Sequence, residues 1–132
     1  MRTVHLLLAA MMTPPTAPSQ PTDPVPTELV HVQRAPQGKG PAPLLVLLHG
    51  YGSNEHDLFA LADRIPAEWM VVSVRGPLTL GPGSFAWYPV SMQEGRITID
   101  PKAEAESRAA VVELIERSLH AGAVDAERIV VA

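Results

Sequence analysis

The segment His49-Gly50-Tyr51-Gly52-Ser53-Asn54 is where residue types and spacing point to chemistry. It follows directly on Leu44-Leu45-Val46-Leu47-Leu48, an unbroken apolar run that suits a strand buried on both faces. A strand that runs into two glycines can turn sharply and leave backbone N–H groups unpaired and facing outward. Such amides can stabilise negative charge developing on an oxygen, provided they are fixed before the reaction begins. A helix is expected to start near Asn54, with Ser53 or Asn54 as its cap and Leu58, Leu61, Ala62 and Ile65 at helical spacing. Its positive dipole end would reinforce the same region.

The remaining candidates for chemistry are scattered. His49 suits a structural polar group bonded to backbone, and Asp57 suits support of the helix start. His31 and His120 have no partner at metal-ligand spacing, so neither a metal nor a cofactor is expected. Glu104, Glu106, Glu113 and Glu116 read as a solvated helix face. Cysteine is absent, which removes disulfides, thiolate metal sites and a cysteine nucleophile.

Several elements must position the glycine turn. Thr27 to Gln33 suits a half-buried edge strand, and Ala35 to Pro43 a turn rich in glycine and proline. Pro66 should end the helix that follows Asn54. Met70 to Val74 reads as a second buried strand. Gly76 to Pro89, broken by Gly81-Pro82-Gly83 and carrying Phe85, Trp87 and Tyr88, reads as a long aromatic loop. Asp100-Pro101 opens a helix, because aspartate caps and proline at the first position has no donor to lose. Ala105, Ala109, Val112, Ile115 and Leu119 are expected on its buried face, with Lys102, Glu106, Glu113 and Arg117 away from it. Gly122 is placed as its left-handed stop. Asp125 to Arg128 then leads into the apolar strand Ile129 to Ala132. This alternation predicts an α/β fold with a mostly parallel sheet flanked by helices.

The 132 residues suit one domain, and 46% hydrophobic content suffices for a core. A formal net charge of -4 without a Lys/Arg run argues against nucleic acid as a partner. Pro14, Pro15, Pro18, Pro21, Pro24 and Pro26 make residues 1–26 a leader followed by an extended linker, with the domain over 27–132. Arg2 and the apolar run Val4 to Met12 resemble a weak secretory signal that lacks an Ala-x-Ala site. The run is shorter than the ~20 residues that span a membrane. A cytoplasmic location is expected over export.

The run LLVLLHGYGSNEHDLFALA, then VVSVRGP, then FAWYPV, then the helix and DAERIVVA, resembles the phospholipase/carboxylesterase family, which includes acyl-protein thioesterases. The likeness covers about Leu44 to Ala132. It implies the N-terminal half of an α/β-hydrolase fold and a parent that hydrolyses carboxylic ester or thioester bonds of a small-molecule substrate through an acyl-serine. It also implies that the Tyr51 backbone N–H is an oxyanion donor, with His49, Gly50 and Gly52 forming the turn that aims it. Arg75-Gly76-Pro77 and Trp87-Tyr88 match segments that shape the acyl pocket. The second donor in this fold comes from the residue after the nucleophile.

The nucleophile elbow Gly-x-Ser-x-Gly occurs nowhere in the sequence. In the family it follows the strand that matches Arg128 to Ala132. The catalytic Ser, Asp and His are therefore expected beyond residue 132, and the chain as given is expected to be inactive. Two readings follow: a fragment of a serine carboxylesterase, or a degenerate hydrolase relative kept as a binding or interaction module. A central strand left at a sheet edge is also a template for aggregation. The 132-residue chain alone is accordingly expected to be poorly soluble or partly unfolded.

Overall fold

Ala42–Leu48 (β2) is the strand on which the other elements are assembled. The computed structural model describes residues 28–132; the leader and linker expected over residues 1–26 lie outside them. The remaining strands of the main sheet are His31–Arg34 (β1), Met70–Val74 (β3) and Val124–Val131 (β8). Their spatial order is β1-β3-β2-β8. β2 runs parallel to β3 and β8, and β1 closes the other edge antiparallel to β3.

The apolar run in β2 is explained by burial on both faces. Leu44 and Val46 join Val72, Val74, Ala110, Val111 and Val124 on one side. Leu45 and Leu47 join Val71 and Ala62 on the other. Successive strand side chains point to opposite faces, so only a strand covered twice needs every position apolar.

The first cover is Pro101–His120 (α1). The Asp100 carboxylate accepts from the Lys102 and Ala103 amides at 2.9 and 3.3 Å, and Gly122, at φ +71°, ends the turn beyond its last residue. Its inward face differs from the expected one. Ser107, Ala110 and Val111 are buried, with Leu114, Ile115 and Leu119 packed beside them, whereas Ala105, Ala109 and Val112 are exposed. Half-buried acids on its flanks form i,i+4 pairs, Lys102–Glu106, Arg108–Glu104 and Arg117–Glu113, of the kind that contributes little to stability.

The second cover corrects another expectation. No α-helix starts near Asn54. Residues 55–58 form turns, and only Phe59–Arg64 winds into a 3-10 helix, capped at Leu58 without a side-chain bond. Local polar bonds compete with the helix: Asn54 Oδ1 accepts from the His56 amide at 3.0 Å, and Ser53 Oγ donates to Asp57 at 2.8 Å. The expected helix dipole at this place is therefore absent. The 3-10 helix is held at its far end by Arg34 on β1. Its guanidinium donates to the carbonyls of Ile65, Pro66 and Trp69 at 3.1, 2.8 and 3.1 Å and also to that of Ala62.

The segment expected as one long loop contains a hairpin, Leu78–Gly81 (β4) with Ser84–Ala86 (β5). A second hairpin, Val90–Gln93 (β6) with Arg96–Ile99 (β7), precedes α1. In β8, pairing with β2 jumps from Val124 to Ile129, so Asp125 to Arg128 bulge out of the ladder. Asp125 folds that bulge on itself, accepting from the Glu127 amide and from Arg128. Among the described residues no helix is long and apolar enough to cross a membrane.

Candidate functional site

Parallel pairing of β2 with β3 brings two loops to the same end of the sheet: the one after Leu48 and the one after Val74. The carboxyl ends of parallel strands are where ligands bind in open α/β sheets. His49 opens the first loop and is only 2% exposed. Its Nε2 accepts from the Gly76 amide at 2.9 Å, so Nδ1 carries the proton and donates to the Gly50 carbonyl at 2.7 Å. Its carbonyl accepts from the Trp87 indole N–H at 2.8 Å, and the two rings lie 5.4 Å apart. The imidazole is thus neutral and engaged at both nitrogens by backbone.

Gly50 and Tyr51 turn outward, and the Tyr51 side chain is 60% exposed. Gly52 has φ +82°, a conformation that a residue with a Cβ adopts only with strain. The chain then pairs with β5. The Gly52 amide donates to the Phe85 carbonyl at 2.8 Å, and the Phe85 amide donates to the Ser53 carbonyl at 2.8 Å. Ser84 Oγ donates to the Gly52 carbonyl at 2.9 Å, and the Asn54 side chain to the Gly83 carbonyl at 3.1 Å. The Ser53 amide closes back on the Gly50 carbonyl at 3.1 Å. Among the described residues the Tyr51 amide has no acceptor, although the two amides after it are bonded.

Glu55 ends the loop and is 2% exposed. Arg75 grips it with two bonds, Nε to Oε2 at 2.7 Å and a terminal nitrogen to Oε1. This bond holds the Glu55 carboxyl down to about 2 from its ordinary 4.5, overcoming burial, which pushes it up. The same pairing raises Arg75. The guanidinium also lies over the Phe85 ring, 4.3 Å from its centroid.

Trp87 is half-buried, and its carbonyl accepts from the buried hydroxyl of Ser107 on α1. Tyr88 follows it, also half-buried. The structure therefore gathers His49, Gly50, Tyr51, Gly52, Arg75, Gly76 and Trp87 into one bonded region. It adds Glu55 and Ser107, which the sequence did not single out, and Phe85, which the sequence placed only among the aromatics of the loop. Glu55 carries no periodic signal, and its partner is twenty positions away. Ser107 occupies a helix position that polarity alone would assign to solvent. Among the described residues no group of three or more His, Cys, Asp or Glu side chains could hold a metal ion.

No protein-family model and no curated protein matches the sequence. Among solved structures, YahD, determined with malic acid, matches with a TM-score of 0.61 at 18% identity. The match covers 78% of this chain and 50% of YahD, so the chain spans about half the length of that relative. At this identity the likeness is one of fold. The architecture expected from the sequence, an α/β fold with a mostly parallel sheet flanked by helices, is the one observed, and it is shared with about half of YahD.

Proposed function

We propose that this chain carries the oxyanion loop of a serine hydrolase acting on carboxylic esters or thioesters, with the nucleophile, its aspartate and its histidine supplied by sequence beyond residue 132. The observation that carries the reading is the Tyr51 amide. It lacks an acceptor among the described residues, at the carboxyl end of a parallel sheet, in a loop whose next two amides are bonded. A donor fixed in that way is what a tetrahedral acyl intermediate requires. The serine hydroxyl would attack the substrate carbonyl carbon, and the carbonyl oxygen would take the negative charge. The Tyr51 N–H would bind that oxygen together with the amide after the serine. Collapse would then expel the alcohol or thiol and leave an acyl-serine for water to hydrolyse. Trp87 and Tyr88 would border the acyl group, and aliphatic acyl esters are the proposed substrates. The 132-residue polypeptide, without the triad, would not turn over.

The test compares this polypeptide with the product of the reading frame continued past codon 132, on short and long p-nitrophenyl esters. Activity is expected only in the longer protein. There, Tyr51→Pro, which removes the N–H, should lower kcat by about 10²–10³-fold, while Tyr51→Phe should leave it unchanged. Equal activity in both polypeptides would refute the proposal. So would a continued frame that lacks Gly-x-Ser-x-Gly. A stop directly after codon 132 would favour a non-catalytic binding module instead.

A further inference from the structure

The loop from His49 to Glu55 is held at both ends by two consecutive residues. At its start the Gly76 amide donates to His49 Nε2. At its end Arg75 holds both oxygens of Glu55. Arg75 is itself pinned, because its amide donates to the Val30 carbonyl at 2.8 Å. Its guanidinium covers the ring of Phe85, the residue that pairs with Gly52 and Ser53 in the middle of the loop. One side chain therefore links the end of the loop to the strand that orders its centre.

A buried ion pair is weak grounds for net stability, since apolar residues of similar volume often serve as well or better. What this pair supplies that an apolar pair does not is one defined geometry, with each carboxylate oxygen bonded to its own guanidinium nitrogen. We propose that Glu55 and Arg75 are positioning residues for the Tyr51 amide: they fix the loop so that this N–H, which they do not touch, stays where the oxyanion would form. The inference rests on the esterase reading for its kinetic consequence but not for its structural one. A misplacement of about 1 Å at a reacting centre can cost ~10²-fold in rate.

The experiment uses the longer protein and the variants Glu55→Leu/Arg75→Met, Glu55→Gln and Arg34→Met. The apolar double variant is expected to keep the wild-type melting temperature while kcat falls by about 10–100-fold with KM little changed. Arg34→Met loosens the fold at the 3-10 helix and should lower melting without lowering kcat. A double variant with wild-type kcat would show that the pair only stabilises, and would overturn the proposal. Amide hydrogen exchange is followed in parallel and needs no turnover. In Glu55→Gln and in the double variant the Gly52 amide should exchange at least ~10-fold faster, while β2 amides keep their protection. Unchanged Gly52 exchange would also overturn the proposal. A wild-type protein that hydrolyses no ester would refute the esterase reading and leave exchange to decide the positioning role.

Discussion

Gly76→Ala should destabilise the fold more than a one-methyl change suggests. A Cβ at this position would lie 2.5 Å from the Ala86 carbonyl oxygen, 2.6 Å from its carbon and 3.1 Å from the Trp87 nitrogen. Ordinary contact begins at 3.4 Å, so the backbone must retreat by about 0.9 Å. All three obstacles are backbone atoms, and no side chain can rotate away. If β5 retreats, it carries Trp87, whose indole holds the His49 carbonyl. If Gly76 retreats, its amide leaves His49 Nε2 inside the fold without a donor. Overpacking costs about 1–3 kcal/mol, and an unsatisfied buried nitrogen costs about 1–3 kcal/mol. Together the loss is about 2–6 kcal/mol, a large share of the ~5–15 kcal/mol that stabilises a domain. Urea denaturation in dilute solution, followed by tryptophan fluorescence, should show a lower midpoint with an unchanged slope. Ala86→Gly should not rescue the variant, because the clash is with the Ala86 carbonyl and not its methyl. A Gly76→Ala unfolding free energy within about 0.5 kcal/mol of wild type, or rescue by Ala86→Gly, would refute the reasoning.

Three further outcomes are expected. Glu55 is held down to about 2 from 4.5 in the folded protein, so the stability it contributes is fully present above pH 4.5 and lost as pH falls toward 2. Wild type should therefore exceed Glu55→Gln by at most about 3 kcal/mol near neutrality, and the gap should close across that acid window in parallel denaturation curves. Asp100→Ala removes the acceptor for the Lys102 and Ala103 amides and should cost about 1 kcal/mol, read as a lower thermal midpoint. The outer edge of β8 has no strand partner among the described residues, and Val130 and Val131 are exposed there. The 132-residue chain should therefore self-associate with rising concentration in light scattering, and Val130→Lys should reduce this; a wild-type chain that stays monomeric with a sharp melt would contradict it.

The legible parts of the fold were those with one dominant local cause. Leu44 to Leu48 and Met70 to Val74 are apolar at every position or nearly so, and both proved to be strands covered on two faces. The helix start at Asp100-Pro101 and its stop at Gly122 follow from capping chemistry that needs no tertiary partner. The sequence misleads where a distant partner or a competing local conformation decides. Ser107 turns inward because its hydroxyl bonds the Trp87 carbonyl, and this rotates the buried stripe away from Ala105, Ala109 and Val112. Leu58, Leu61, Ala62 and Ile65 kept a helical spacing, but the polar side chains of Ser53 and Asn54 closed local turns instead. The β6–β7 hairpin turns through Glu94-Gly95, both at positive φ, and glutamate is not a residue that announces such a turn. At the site, the glycine turn could be read from the sequence. The Glu55–Arg75 pair could not, because nothing local to either residue names the other.

The distribution of buried polar groups separates the demands of folding from those of a site. A polar side chain taken out of water costs free energy unless it finds partners, and even then an apolar substitute often serves stability as well. Ser73 is the case in which burial brings no partner: it sits within β3, fully buried, and its hydroxyl is unpaired among the described residues. His49, Glu55 and Ser107 are different. Each is bonded, and each bond leads to the loop after β2: His49 within it, Glu55 at its end, and Ser107 through Trp87 to the His49 carbonyl. A fold selected for stability alone has no need to spend its buried polar groups on one turn. The sheet itself is closed by apolar residues on both faces and does not depend on that turn for its core. The concentration of satisfied polar burial around residues 49–55 therefore argues that the position of this backbone, and of the Tyr51 amide within it, is what those groups secure.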